Sequence, residues 1–314
     1  MEYMVKYCVG IDLGGTTIKF GLFSITGRLL EKWHIDTNKA EQGSRIIPNI
    51  AAALKVKLDE YKIEPSEIKG IGIGIPGPVI NAGFVPVCVN LGWVNVSVAE
   101  ELKRRTGIPV KVENDANAAV MGEMWQGSGK GYKNLVMLTI GTGIGGGVVI
   151  NEKIVSGRFG AAGEFGHMSV VPDETEICGC GRKGCLEQVA SATGIVKEEV
   201  KLLANNTSHS VLRNSEALTA LEIFNAAKDN DPLAVQVVEK AGKYLGIAMA
   251  SITSALDPDV FILGGGVSGA GQYLIDVITR HYKENVFYVS SNTEIKLATL
   301  GNDAGIYGAA RMIM

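Results

Sequence analysis

Cys8-Val9-Gly10-Ile11-Asp12-Leu13-Gly14-Gly15-Thr16-Thr17-Ile18-Lys19 is the stretch whose reading decides the fold. Cys8 to Leu13 predicts a short buried strand, Gly14 to Thr17 a turn, and Ile18 to Ser24 a return strand, so the segment reads as a glycine-turned hairpin. The same arrangement comes again about 130 residues later. There Leu135 to Ile140 predicts a strand, Gly141 to Gly147 a glycine turn, and Val148 to Ile150 the returning strand. Two such units imply two lobes of similar design, each presenting a glycine hairpin.

Helices fill the intervals. Ser97-Val98-Ala99-Glu100 reads as a capping box opening a helix that Gly107 and Pro109 close. Asn114 to Trp125 is apolar on one face, and Asp231-Pro232 starts a long helix running to about Leu256. Strands alternating with helices make an α/β protein. Gly127, Gly129 and Gly131 cluster where a lobe boundary is expected, giving lobes over 1–126 and 127–300, with 301–314 rejoining the first.

Lys+Arg 30 against Asp+Glu 33 leaves a net charge of −3, which offers no general attraction to nucleic acid or an anionic membrane. No apolar run reaches the ~18 residues of a membrane span. Met1 to Lys6 lacks the apolar region of a signal peptide, so a cytoplasmic protein is expected.

Gly72-x-Gly74-x-x-Gly77 and Gly141-x-Gly143-x-x-Gly146 both fit a dinucleotide fingerprint, which needs a helix to follow. Pro76 and Pro78 spoil the first, and a strand follows the second. The hairpin at Asp12 to Lys19 fits better as a phosphate site. Amides around Gly14 and Gly15 can point at phosphate oxygens, Thr16 and Thr17 add hydroxyl donors, and Asp12 suits Mg²⁺. A plain hairpin with a surface Asp is the bland alternative. Thr142 and Gly143 offer a second set of donors, and Gly264-Gly265-Gly266 ahead of the helical run from Gln272 offers a strand-to-helix anion site. Three such loops suit a nucleoside triphosphate.

Glu113-Asn114-Asp115-Ala116-Asn117 follows a strand and opens a helix. Asn114 or Asp115 is either a helix cap, or Asp115 accepts a proton from a hydroxyl nucleophile, as phosphoryl transfer requires. His167, Cys178, Cys180 and Cys185 form H-x10-C-x-C-x4-C, a closed tetrahedral set for structural Zn²⁺. A metal there would bring Glu164 and Glu187 near a common point; singly, each reads as a solvated glutamate.

Together these residues resemble the ROK family (repressor, open reading frame, kinase). The markers are D-x-G-G-T-x-x-K at Asp12–Lys19, G-I-P-G-P at Gly74–Pro78, E-N-D-A-N at Glu113–Asn117, G-E-F-G-H at Gly163–His167 and C-G-C-G-x-x-G-C-L-E at Cys178–Glu187. The resemblance implies an actin-like, ribonuclease-H-type two-lobed fold with ATP and sugar in the interlobe cleft. It makes Asp115 the general base for a sugar 6-hydroxyl, with Asn114, Glu164, His167, Glu187, the Gly77 backbone and Asn90 holding the other hydroxyls. Asp12 would organise Mg²⁺; Gly14, Gly15, Thr16, Thr17, Lys19, Thr142 and Gly143 would serve the phosphates; Gly265 and Gly266 would lie by the nucleoside. Within the family the likeness is to the zinc-containing kinases that act on glucose, as a homodimer or higher homo-oligomer. The rivals are a kinase for fructose, mannose, N-acetylmannosamine or N-acetylglucosamine, one using polyphosphate, a catalytically dead sugar-binding protein, and a sugar-sensing repressor. A repressor of this family carries a winged-helix segment first, and eleven residues before Asp12 leave no room for one.

Overall fold

The structure, a computed structural model, describes residues 5–81 and 83–314. Met1 to Met4, part of the stretch read for a missing signal peptide, lie outside the described residues. No helix among the described residues is long and apolar enough to cross a membrane.

Among the described residues, twelve strands form two five-stranded sheets and one two-stranded ribbon. The first sheet takes β1 (Tyr7–Leu13), β2 (Thr17–Ser24), β3 (Leu29–Asp36), β4 (Ile68–Ile75) and β7 (Val110–Asn114), in the order β3-β2-β1-β4-β7. The ribbon pairs β5 (Phe84–Cys88) with β6 (Trp93–Ser97). The second sheet takes β8 (Leu135–Ile140), β9 (Ile144–Ile150), β10 (Lys153–Ile154), β11 (Val260–Gly264) and β12 (Glu294–Leu297), in the order β10-β9-β8-β11-β12. In both sheets an antiparallel three-strand meander is extended by two parallel strands. That shared order is the doubled sheet of the actin-like fold. β1 and β11 are almost wholly buried, as central parallel strands covered on both faces must be. β3, at an edge, has no buried residue and alternates half-buried and exposed ones over most of its length.

Among the described residues, eight helices have eight or more residues: α1 (Ile46–Tyr61), α2 (Val98–Thr106), α3 (Asp115–Gln126), α4 (Ala192–Asn205), α5 (Ala220–Lys228), α6 (Pro232–Leu256), α7 (Gln272–Asn285) and α8 (Ala304–Arg311). Each sheet has its own apolar core. Val9, Ile11, Ile71 and Ile73 meet Ile50 and Leu54 of α1 in the first; Leu138, Phe261 and Leu263 meet Leu245 and Met249 of α6 in the second. α3 lies between the sheets, placing Val120, Met121 and Met124 on Leu135, Met137, Val149 and Ile262. α8 packs on α3 and on β1 and β4 of the first sheet. The crossing of α3 and α8 is backbone against backbone: a Cβ on Gly308 would sit 1.6 Å from the Ala118 carbonyl oxygen.

Two local expectations need correction. Ser97 makes no side-chain cap bond, so no capping box opens α2; the Val98 and Ala99 amides bond the Gly83 carbonyl at 3.0 and 3.4 Å instead. The glycine turn of the second hairpin is also shorter than its sequence suggests. Gly145, Gly146 and Gly147 belong to β9, where each is crowded by a different neighbour: Thr139 on Gly145, Phe165 and the Gly163 carbonyl on Gly146, and α3 on Gly147. A Cβ on Gly147 would meet Val120 Cγ1 at 2.7 Å and the Ala116 carbonyl at 2.8 Å. The Asp231 cap and the run to Leu256 stand as read, with Asp231 Oδ1 accepting from the Leu233 and Ala234 amides.

Candidate active site

A cleft of about 700 Å³ lies between the sheets. It is lined by Asp12 and Lys19 of the first hairpin, Asn90, Asp115, Thr142 and Gly143 of the second hairpin, Glu164, His167, Glu187, and Gly265 and Gly266 after β11. A hollow of similar volume, about 720 Å³, lies elsewhere, along α1 between Leu54, Leu58, Ile63 and Arg105. It gathers none of the predicted residues, so chemistry singles out the cleft.

The motif at Glu113 to Asn117 explains how a carboxylate comes to be presented there. β7 ends at Asn114, whose extended backbone starts α3 and whose Oδ1 accepts from the Ala116 and Asn117 amides at 2.9 and 3.2 Å. Asn114 Nδ2 donates to the Gly77 carbonyl at 3.1 Å, so Asn114 and Gly77 brace one another behind the cleft lining. Glu113 is held by Asn117 Nδ2 at 3.0 Å and Ser156 Oγ at 2.9 Å. Asn114 is therefore the cap, and Asp115 is left facing the cleft. Asp115 Oδ1 accepts from the Ala116 amide at 2.8 Å. Burial pushes the Asp115 carboxyl up from 3.8 to about 6, with the Asp12 and Glu164 charges raising it further against that amide.

Asp12 lies one residue before the end of β1, in register with Lys19 of β2. Burial raises its carboxyl, and Lys19 opposes the shift from 3.3 Å. Lys19 Nζ also donates to the Asn302 carbonyl at 3.0 Å. Gly14, Gly15, Thr16 and Thr17 form the tip of this hairpin, closed by a 3.0 Å bond from the Gly14 amide to the Thr17 carbonyl, and they lie outside the cleft lining. Gly265 takes a positive φ of 82°, with room for no side chain, since a Cβ would lie 2.5 Å from the Ile140 carbonyl oxygen. Beyond Gly266, an apolar pocket of about 160 Å³ opens between Ala220, Leu221, Phe224, Val267 and Ala270.

The turn Phe165–His167 and the loop from Cys178 to Cys185 converge on one point. His167, Cys178, Cys180 and Cys185 each offer a ligand atom, and these atoms all lie within 4.8 Å of one another. Cys178 Sγ is 3.8 Å from His167 Nδ1, and Cys180 Sγ is 3.5 Å from Cys185 Sγ. The cluster could bind a metal: three thiols and an imidazole within that radius match the donor set of a tetrahedral site. The loop is knotted by the Cys178 amide on the Arg182 carbonyl (2.7 Å) and by a bridge between Ser169 and Cys185. Glu187 borders both sites. Its Oε1 accepts from Cys178 Sγ at 3.1 Å, and its Oε2 would lie 2.9 Å from a Cβ on Gly143.

Sequence reasoning missed the C-terminal wall of the cleft. Gly301, Asn302, Ala304 and Gly305 line it, and Gly305 presses on Asp12 so closely that a Cβ would lie 2.7 Å from Asp12 Cγ. No local signature announces them. The signal was the small-residue spacing Ala304-Gly305 and Gly308-Ala309-Ala310, which marks a face made for close approach.

A polar cleft between two sheets of one order, with a half-buried carboxylate facing glycine turns from both, defines the two-lobed, actin-like fold of the sugar-kinase class. The chain belongs to the ROK family, which matches residues 8–314. A glucokinase of Halalkalibacterium halodurans is 41% identical, with 98% of this chain and 95% of that protein covered. The crystal structure of a ROK family glucokinase from Streptomyces griseus in complex with glucose and AMPPNP superposes with a TM-score of 0.77 at 34% identity, covering 98% of both chains. A ROK family transcriptional regulator, a homologue of the E. coli MLC protein, superposes at 0.88 with 27% identity, over 99% of this chain and 78% of that one.

Proposed function

We infer that this chain transfers the γ-phosphoryl group of ATP to the 6-hydroxyl of glucose, giving glucose 6-phosphate and ADP. The observation that carries the reading is Asp115: a carboxyl held at about 6, at the first position of α3, in a cleft that also receives Asp12 and the Thr142–Gly143 turn. The glucokinase likeness supports glucose as the sugar and ATP with a divalent metal as its partner.

Asp115 accepts the proton of the 6-hydroxyl as that oxygen bonds to the γ-phosphorus and the bond to the ADP oxygen breaks. A carboxyl near 6 is ionised at neutral pH, yet basic enough to draw the proton. Asp12 would hold Mg²⁺, with Lys19 beside it to balance charge. Thr142 and Gly143, with Gly14, Gly15, Thr16 and Thr17 from the facing hairpin, would donate to the phosphates once the lobes approach. Gly265 and Gly266 would lie by the ribose, and the apolar pocket beyond them suits an adenine face. Glu164, Glu187, His167 and Asn90 would hold the remaining sugar hydroxyls, with Asn114 and the Gly77 backbone acting behind them. His167, Cys178, Cys180 and Cys185 would bind structural Zn²⁺, which fixes the loop carrying Glu187 and supplies no chemistry to the transfer. The lobes divide at 1–126 with 301–314, and 127–300. A cytoplasmic homodimer or higher homo-oligomer fits the exposed apolar run Phe287-Tyr288-Val289, and light scattering tests it.

The regulator likeness favours sugar binding without transfer, but identity is higher to the kinases and Asp115 is in place. A coupled assay with ATP and glucose, mannose, fructose, N-acetylglucosamine and N-acetylmannosamine decides the matter. Glucose should give the highest kcat/KM. A tenfold preference for another sugar would displace glucose, and no transfer to any of them would displace the kinase reading.

A further inference from the structure

Glu123 is fully buried on α3, yet among the described residues it pairs with no lysine, arginine or histidine. Its carboxylate is instead saturated by neutral donors drawn from two distant stretches of chain. Oε2 accepts from the Ser128 amide at 2.9 Å, Ser128 Oγ at 3.1 Å and the Thr299 amide at 3.1 Å. Oε1 accepts from the Thr299 amide at 3.0 Å and the Leu300 amide at 2.8 Å. Ser128 lies on the crossing from α3 to β8, and Thr299 and Leu300 lie on the return crossing from β12 to α8. The Glu123 carbonyl adds bonds from the Gly127 and Gly129 amides, both 3.0 Å. Gly127 is obligatory for this approach, since a Cβ there would lie 2.0 Å from Glu123 Oε2.

A buried charge without a counter-charge is a poor device for stability alone, because desolvation weighs against it. What a carboxylate does that an amide cannot is accept on both oxygens, and so hold donors from two segments at once. The two segments lead to the two halves of the chemistry. Asp115 opens the same helix eight residues earlier, about 12 Å along its axis. Leu300 leads directly to Asn302, whose carbonyl takes Lys19, and to Gly305, which backs Asp12.

We propose that Glu123 is a positioning residue that clamps both interlobe crossings to the helix carrying Asp115, so that Asp115 and the Asp12–Lys19 pair keep one frame as the lobes close. The proposal rests on the kinase reading given above. In Glu123→Gln the amide nitrogen must face backbone donors, and one side of the clamp opens.

The test compares wild type with Glu123→Gln for glucose kinetics, for the change in radius of gyration on glucose binding, and for hydrogen exchange at the Ser128, Thr299 and Leu300 amides. The expected result is kcat lower by about 10- to 100-fold, as for a small misplacement of reacting groups, with faster exchange at all three amides and no glucose-induced compaction. A residue that only stabilises the fold would lower Tm and leave kcat and KM of the folded protein unchanged. A folded Glu123→Gln with both constants within twofold of wild type overturns the proposal. Should that variant fail to fold, Ser128→Ala with Thr299→Ala removes two hydroxyls near the carboxylate and leaves it buried. A loss of about threefold in kcat is then expected, and unchanged kinetics overturns the proposal equally. Wild type that phosphorylates no sugar sinks the kinase reading instead, and exchange at the three amides still reports on the clamp.

Discussion

Replacing Asp115 by Asn should make the enzyme almost inactive and, at alkaline pH, more stable. The carboxyl stands at about 6 in the folded chain against an ordinary 3.8, chiefly because it is buried. That difference corresponds to about 3 kcal/mol held against the ionised folded state. Asp115 is only partly buried by exposure, so solvent screening reduces the figure to on the order of 1–2 kcal/mol. The sign follows from linkage. A carboxyl whose folded value is raised costs nothing below about 4, and its penalty grows as pH rises and is complete above about 6. Asparagine keeps the acceptor for the Ala116 amide and carries no charge to repel Asp12 and Glu164. At pH 8, without nucleotide or Mg²⁺, Asp115→Asn should melt about 2–5 °C above wild type, and at pH 4 the two should coincide. In the same preparation kcat should fall by at least about 100-fold, the ordinary worth of a general base. Wild-type kcat should itself decline as pH drops below about 6, tracking the ionised fraction of this one group. Calorimetry at the two pH values and a coupled assay at pH 8 are sufficient. A variant that turns over glucose near the wild-type rate, or that is less stable than wild type at pH 8, refutes the reasoning.

Cys180→Ser should lose bound zinc and glucose affinity together, because the loop ending at Cys185 carries Glu187 into the cleft; elemental analysis beside a glucose titration checks it, and a metal-free wild type with full activity would remove zinc from the account. Glucose should lower the radius of gyration by favouring a closed form, since the proposed sugar contacts line both sides of the cleft. Solution scattering reads this directly, and an unchanged radius would sink closure while leaving the kinase reading intact. Gly308→Ala should destabilise by about 1–3 kcal/mol or more, because its Cβ falls 1.6 Å from the Ala118 carbonyl oxygen; a Tm equal to wild type would contradict it.

The parts of the site that could be read from sequence are those built within a few residues. Asp115 follows a strand and opens a helix within one motif, and His167 and the three cysteines carry their ligand geometry in their spacing. The paired hairpins foretold two sheets of one order, because each sheet is organised around its own meander. Reading failed where a distant backbone competed. Ser97 had the residue pattern of a cap, but the Gly83 carbonyl reached the helix amides first. Gly145 to Gly147 looked like turn and are strand, because glycine there answers close packing by Thr139, Phe165 and α3 in turn and not the needs of a bend. Glu123 and the wall from Gly301 to Gly305 were invisible because their meaning lies in segments more than 170 residues apart in sequence.

The packing of α8 against β1, β4 and α3 sets the order in which this protein can be made. A ribosome delivers the first sheet and α3 early, but Gly10 and Gly72, shaped to receive Ile306 and Ala309, have nothing to receive until the whole second sheet has followed. The sheet that presents Asp12 and Asp115 is begun first, and its packing is completed last. Its unfilled groove therefore stands open to solvent and to chaperones through most of synthesis, while the second sheet, drawn from β8 to β12, can fold as a unit before it. Folding intermediates trapped on the ribosome should accordingly assemble the His167–cysteine cluster before Asp115 is set in a finished cleft.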